Sequence, residues 1–355
     1  LKEAGENLEN LGGKLETVGG KLNSTGNTLI ALSAPIVAFA GYAVKAGTEF
    51  QYGMAQVQAI SGATGKELEK LTEKAKEIGA TTQWSASQAS EGLQFLSMAG
   101  WNTQSMLEGL TPIVNLATAS TENLGTVSDI VSDALTAFGL SASDTTEFCD
   151  VLASTMANSN TNVAMLGETF QYSAPLAGAL GFSIQDVATA AGLMANAGIK
   201  ASVSGTALRT LFTKLSEDIE LTGEAFGKVT ISTKNQDGSM KDLNDIIVDL
   251  RKGFQQMTEA EKASNVEAIS GKTGMAGLLA VMNATDEEFY NLRSSIVNST
   301  GATQKMADIM GNTTQGKVNA FKSKIEALGI QLADNLLPHV NAILDKGMAL
   351  IDWFS

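Results

Sequence analysis

Apolar residues return every seven positions through the first part of the chain. Leu1, Leu8, Leu15, Leu22, Leu29 and Ile36 hold one position of the rhythm; Ala4, Leu11, Val18, Thr25, Leu32 and Phe39 hold the other. Two such positions sustained over more than five heptads predict a coiled-coil helix. We expect the seam Leu8, Leu11, Leu15, Val18, Leu22, Leu29, Leu32 and Ile36 to join copies of the chain. The competing expectation is a long helix laid on its own domain. Gly12, Gly13, Gly19, Gly20 and Gly26 each cost roughly 1 kcal/mol in a helix interior, so the segment needs a partner or a wall. Residues 29–44 carry no charge. They fall short of the ~20 residues that span a bilayer, which predicts a buried helix or coiled-coil core. Conditional entry into a membrane is the sharper alternative.

From residue 60 to about 200 the rhythm changes to a beat of short helices. Start signals stand at Thr64, Ser85, Thr103, Thr121, Ser141, Thr161 and Ser183. Thr64, Ser85, Ser141 and Ser183 have an acid or amide three places on, at Glu67, Gln88, Asp144 and Asp186. In that capping-box spacing the hydroxyl and the acid or amide satisfy each other's orphan N–H groups. Gly79, Gly100, Gly139 and Gly181 fall where the preceding helices should stop. Apolar residues such as Leu93, Leu96 and Met98 lie between. The strings 134–144 (ALTAFGLSASD) and 176–186 (LAGALGFSIQD) share Ala, Gly, Ser and Asp at matching places. Either a repeated helix pair or the same stop-and-cap chemistry used twice accounts for them.

Beyond residue 200 a helix is expected over 203–218. A small hairpin or loop near 229–240 follows, with Asp237-Gly238 as its turn. Helices resume near Leu243, with further boxes at Thr258 with Glu261 and Thr285 with Glu288. The fold class is therefore all-α: a heptad-patterned stalk over 1–60, then a multi-helix bundle of short antiparallel helices over 61–345. Residues 346–355 read as the start of a continuing helix, and the chain as a piece of a longer protein.

Composition narrows the chemistry. The formal charge is -14, and duplex DNA needs a basic footprint, so specific nucleic-acid binding is not expected. Charged residues make up only 17% and hydrophobic ones 44%, which excludes an acidic disordered tail. Gly reaches 35 residues, pointing to many breaks or to close helix contacts. One Cys excludes an intramolecular disulfide, and one His leaves a single imidazole base. Cys149 reads as a small buried hydrophobe and His339 as a packed or partly exposed residue of an apolar helix. GKTG (271–274) lacks the earlier glycine of a phosphate loop, since Val266 stands there. NQDG (235–238) lacks the flanking acids of a calcium loop. We assign no catalytic, cofactor or metal residue. The methionines read mostly as core filler, or else as an adaptable surface.

Three strings stand out for their length: QVQAISGATGKELEKLTEKAKEIGATTQWSASQASEGLQFLSMAGWNTQSMLEGL (56–110), NSNTNVAMLGETFQYSAPLAGALGFSIQDVATAAGLMANAGIKAS (158–202) and NAFKSKIEALGIQLADNLLP (319–338). They resemble phage tail tape measure proteins of the TP901 type. The resemblance covers roughly residues 45–345. It implies a mainly helical virion protein that templates the tail tube, sets tail length and leaves ahead of the DNA. It also implies a homo-oligomer, a trimer in preference to a hexamer, in the tube lumen or at the tail tip. The implied partners are the tail tube protein, baseplate hub or distal tail proteins, tail assembly chaperones, and the host membrane at ejection. It carries no catalytic position. A membrane-active conduit built on residues 29–44 is the alternative function.

The seam makes one direct prediction. Replacing Leu15 and Leu22 together with Asp removes two buried knobs, each contributing a few kcal/mol. Light scattering should then report the monomer's mass; an unchanged oligomer would refute the seam.

Overall fold

The computed structural model describes residues 28–354. Among them are fourteen α-helices, one 3₁₀ turn and a two-stranded hairpin. The first five helices are α1 (Thr28–Ser61), α2 (Lys66–Thr81), α3 (Ala86–Met98), α4 (Thr103–Ser120) and α5 (Leu124–Phe138). A 3₁₀ turn at Ala142–Asp144 leads to α6 (Thr145–Asn158), α7 (Val163–Leu180), α8 (Ile184–Asn196) and α9 (Ala201–Leu215). Strands β1 (Ile219–Gly223) and β2 (Gly227–Ile231) follow. The chain then forms α10 (Leu243–Phe254), α11 (Glu259–Asn283), α12 (Asp286–Val297), α13 (Ala302–Gly311) and α14 (Thr314–Phe354).

One device ends several helices. Gly100, Gly139, Gly181 and Gly198 close α3, α5, α7 and α8 at positive φ. The next residue sends its N–H back to a carbonyl five positions earlier: Trp101 to Leu96, Leu140 to Leu135, Phe182 to Ala177, Ile199 to Met194. This Schellman arrangement satisfies carbonyls that the helix itself leaves open. The strings 134–144 and 176–186 thus occupy equivalent places, at the ends of neighbouring helices. Each continues through an apolar residue into a serine cap. Gly79, by contrast, lies inside α2. Its bare Cα makes room for the start of α3, since a Cβ there would stand 2.7 Å from the Ala86 nitrogen.

From α1 to α11 the odd-numbered helices each pack on the one two places along. α1, α3, α5, α7, α9 and α11 lie side by side in one layer, with α14 added beyond α1. α2, α4, α6 and α8 form the second layer, and α12 and α13 lie across it. The expected bundle is thus a two-layer stack of helix pairs, the arrangement of a solenoid. Phe148, Phe170, Leu110, Leu193 and Phe212 fill the space between layers. Phe138, Phe148 and Phe170 meet edge to face there, their ring centres 5.5–6.3 Å apart. Cys149 is fully buried in the same core. Met54, Met106 and Met194 are buried too, whereas Met98, expected inside, is 55% exposed on the last turn of α3.

The hairpin begins ten residues before its expected place. Its ladder runs from Ile219 opposite Ile231 to Gly223 opposite Gly227. The Asp237-Gly238 turn closes only a single bridge, Lys234 with Met240. The ladder forms earlier because β1 alternates: Ile219 and Leu221 are buried, and Asn265 of α11 bonds both backbone groups of Thr222.

Glycine marks the contacts within the first layer. Gly47 of α1 meets Ala333 of α14, Gly53 of α1 meets Ser90 of α3, and Gly92 of α3 meets Ser128 of α5. Gly178 of α7 faces Ala137 and Phe138 of α5, Gly205 of α9 faces Thr169 of α7, and Gly277 of α11 faces Ala207 of α9.

This packing reverses the sign that helix propensity gives. A Cβ on Gly178 would lie 2.8 Å from three backbone atoms of Ala137 and Phe138. Gly178→Ala should therefore cost about 1–3 kcal/mol in urea denaturation. Gly41→Ala, with nothing within 4 Å, should gain about 0.5–1 kcal/mol.

Candidate functional site

The described residues offer a surface and a cleft at the α14 end of the stack. α14 carries two faces. Ser323, Ile330 and Ala333 are buried on the inner one. The Ser323 hydroxyl lies 2.6 Å from the Gly79 carbonyl and 2.7 Å from that of Trp84, in reach of both. Lys76 of α2 pairs with Asp334 at 2.7 Å. Glu326 accepts from the Ser87 N–H in the first turn of α3, where the helix dipole favours a carboxylate.

The outer face repeats at alternating steps of three and four: Val318, Phe321, Ile325, Leu328, Leu332. Phe321 is 66% and Leu328 55% exposed, while Ile325 and Leu332 are half-buried. Lys317, Lys322 and Lys324 flank the stripe, exposed and without an ion-pair partner among the described residues. His339 lies further along the same helix, also exposed. A stripe of this spacing suits a helical partner.

α1 and α14 run in the same direction. Gly329 approaches Ala43, and four residues on Gly47 approaches Ala333, at the same sequence offset. Of the expected seam, Leu8, Leu11, Leu15, Val18 and Leu22 lie outside the described residues. Leu29, Leu32 and Ile36 lie on α1. The heptad position of Leu29 and Ile36 continues as Ala43, Phe50 and Val57, all buried. From Ala43 on, this line of the segment read as a stalk is therefore built into the domain and covered by the chain's own helices, whereas Phe39 and Ile60 on the other line are exposed.

Between α1, α14 and the α2–α3 turn lies a cleft of about 520 Å³, lined by Tyr42, Glu49, Gln88, Asn319, Lys322 and Glu326 among others. Burial pushes the Tyr42 hydroxyl's pKa up, and the charges of Glu326 and Glu49 push it further. The cleft thus offers a neutral phenol, carboxylates, amides and one ammonium, all suited to hydrogen bonding. Burial, then Asp150, raises the pKa of the Cys149 thiol, so no thiolate forms. Among the described residues no His, Cys, Asp and Glu cluster could hold a metal, and no helix is long and apolar enough to cross a membrane.

The caps divide in an instructive way. Ser85 closes a full capping box with Gln88. Ser141 opens the 3₁₀ turn, its N–H donating to Asp144 at 2.8 Å. Ser183 accepts from the Asp186 N–H at 3.1 Å. Thr64 does not cap: Gly65, at φ 53, takes that place on α2, and only the Thr64 carbonyl takes part, accepting from the Glu67 N–H. Three further start signals are displaced onto asparagine. Asn102, Asn123 and Asn162 cap α4, α5 and α7, beside Thr103, Thr121 and Thr161. Asn ranks with Ser and Asp at N-caps, and that preference was the usable signal.

The chain resembles known proteins over most of its length. Residues 72–271 match the family model described as phage-related minor tail protein. A tape measure protein of Pneumococcus phage Dp-1 is 30% identical over 91% of this chain and 28% of its own length. A probable tape measure protein of Escherichia phage P2 is 24% identical over 81% of this chain and 36% of its own. One of Clostridium phage phiCD119 is 25% identical over 86% and 33%. The chain thus spans about a third of the length of these relatives. No solved structure matches it.

Asp186 supplies a pH test. It is buried, accepts a hydrogen bond from Asn244 of α10, and is held above the usual carboxylate range by burial, with Asp242 adding to the shift. A raised carboxyl favours the neutral form in the folded state, so its contribution to stability falls as pH rises from the unfolded value through the folded one. Asp186→Asn removes that dependence. The stability difference, mutant minus wild type, should therefore move in the mutant's favour as pH rises above the ordinary carboxylate value of about 4 in urea titrations.

Proposed function

The chain belongs to the phage-related minor tail protein family, and on that premise we propose that it is the folded part of a tail tape measure. In this reading it belongs to a protein the length of the relatives above. That protein scaffolds the tail tube, sets the tail's length and leaves with the DNA. The observation that carries the reading is the 30% identity over 91% of the chain to a protein of that name. It acts as a structural part without catalysis of its own, and the fully buried Cys149 and exposed His339 fit that role.

The partners follow from the surfaces. Copies of the chain, three or six, associate through the N-terminal seam. The outer face of α14, apolar between lysines, suits a helix of the tail tube, the distal tail or an assembly chaperone. The acidic balance of -14 keeps the chain from holding DNA that must later pass it. The protein sits in the tube lumen or at the tail tip.

The test is tail length. Removing 30 residues in frame from the helical remainder of the full-length gene product should shorten tails by about 45 Å, at 1.5 Å per residue, in negative-stain micrographs. Tails of unchanged length would overturn the ruler.

A further inference from the structure

We propose that residues 62–313 are a folded inset that adds no length to the tape, and that the tape passes the inset through α1 and α14. The inference rests on the tape-measure reading and deepens it.

Three observations carry it. The first is direction. α1 and α14 run parallel, Ala43 beside Gly329 and Gly47 beside Ala333. Both approaches share one sequence offset of 286 residues, so the two helices keep the same heading and register from Ala43 to Gly47. The chain arrives along one helix and departs along its neighbour with the same heading, moved sideways by no more than about 8 Å, the short end of the usual distance between packed helices. The second is how the two are held. Their backbones meet through glycine, and α14 is fixed to α2 and α3 by Lys76–Asp334, Ser87–Glu326 and the two carbonyls facing Ser323. The third is what lies between. Every helix from α2 to α13 folds back into the stack, and Phe148, Phe170 and Phe212 are buried between its layers. Between Ala43 and Gly329 the chain therefore makes almost no advance along the helix direction, where the same 286 residues as one continuous helix would cover about 430 Å. A ruler made of this chain counts its helical flanks and leaves out the stack.

The experiment uses intact particles. Ala43→Cys with Gly329→Cys places two thiols across the pair, since a Cβ on Gly329 would stand 3.4 Å from the Ala43 Cα, within disulfide reach. Oxidised tails should yield a peptide linked between positions 43 and 329, without a dimer band. Absence of that link in assembled tails would overturn the inset, whatever the fate of the ruler.

Length is the second readout. Deleting residues 140–181 joins Gly139 to Phe182, two equivalent points of the stack, and removes 42 residues. Tails should keep their length, as they should when the same unit is duplicated, which guards against a deletion that fails to assemble. The same number removed from the helical remainder should shorten tails by about 63 Å. Shortening by that amount in the 140–181 deletion would also overturn the inset. If only the remainder deletion fails to shorten tails, the ruler falls and the cysteine link alone decides whether the inset stays folded.

Discussion

The stack depends on helices that come closer than side chains normally allow. Contacts between neighbours of the first layer are made on glycine, from Gly47 between α1 and α14 to Gly277 between α9 and α11. Each costs helix propensity, about 1 kcal/mol against alanine. What offsets that cost is backbone brought against backbone and a wide apolar interface behind it. Gly205 shows the constraint: a Cβ there would stand 2.5 Å from the Thr169 carbonyl oxygen. The layer has no room for a uniform helix surface, and this explains why so glycine-rich a chain is nonetheless mostly helical among its described residues.

Much of the local structure was legible in the residues. The stop-and-cap strings located the ends of α5 and α7 because each carries its own complete set of bonds. Gly139 turns the chain, Leu140 reaches back to Leu135, and Ser141 with Asp144 starts again. Such bonds are local, so sequence holds them. The asparagine caps were equally local and went unread because a threonine stood within two residues of each. What could not be read was which helix meets which. The two layers arise from contacts between helices about forty residues apart, and a glycine at such a crossing looks the same as one in a turn.

The heptad rhythm shows the same limit from the other side. Periodicity tells that one face of α1 is apolar and says nothing of what covers it. In the described part the cover is the chain itself, at Ala43, Phe50 and Val57. The face of α14 is the converse. Its stripe from Val318 to Leu332 recurs at steps of three and four in the sequence, which shows an apolar face and not what covers it. Only the fold shows that this helix has a second, buried face and that the stripe looks outward. The resemblance to tail proteins named a role that neither pattern could supply.

The parallel course of α1 and α14 also fixes how the molecule bears tension. Pulled lengthwise from its two flanks, the pair is loaded in shear, and the contacts along the shared run resist together. Slippage must break Lys76–Asp334, the Ser323 bonds and the glycine-mediated packing in one step. Behind that clamp the stack is a series of neighbours, each held chiefly by the next, and such arrays yield piece by piece. A chain of this design stays stiff under a load the clamp can hold. Once the clamp gives, it pays out as slack, one helix pair after another.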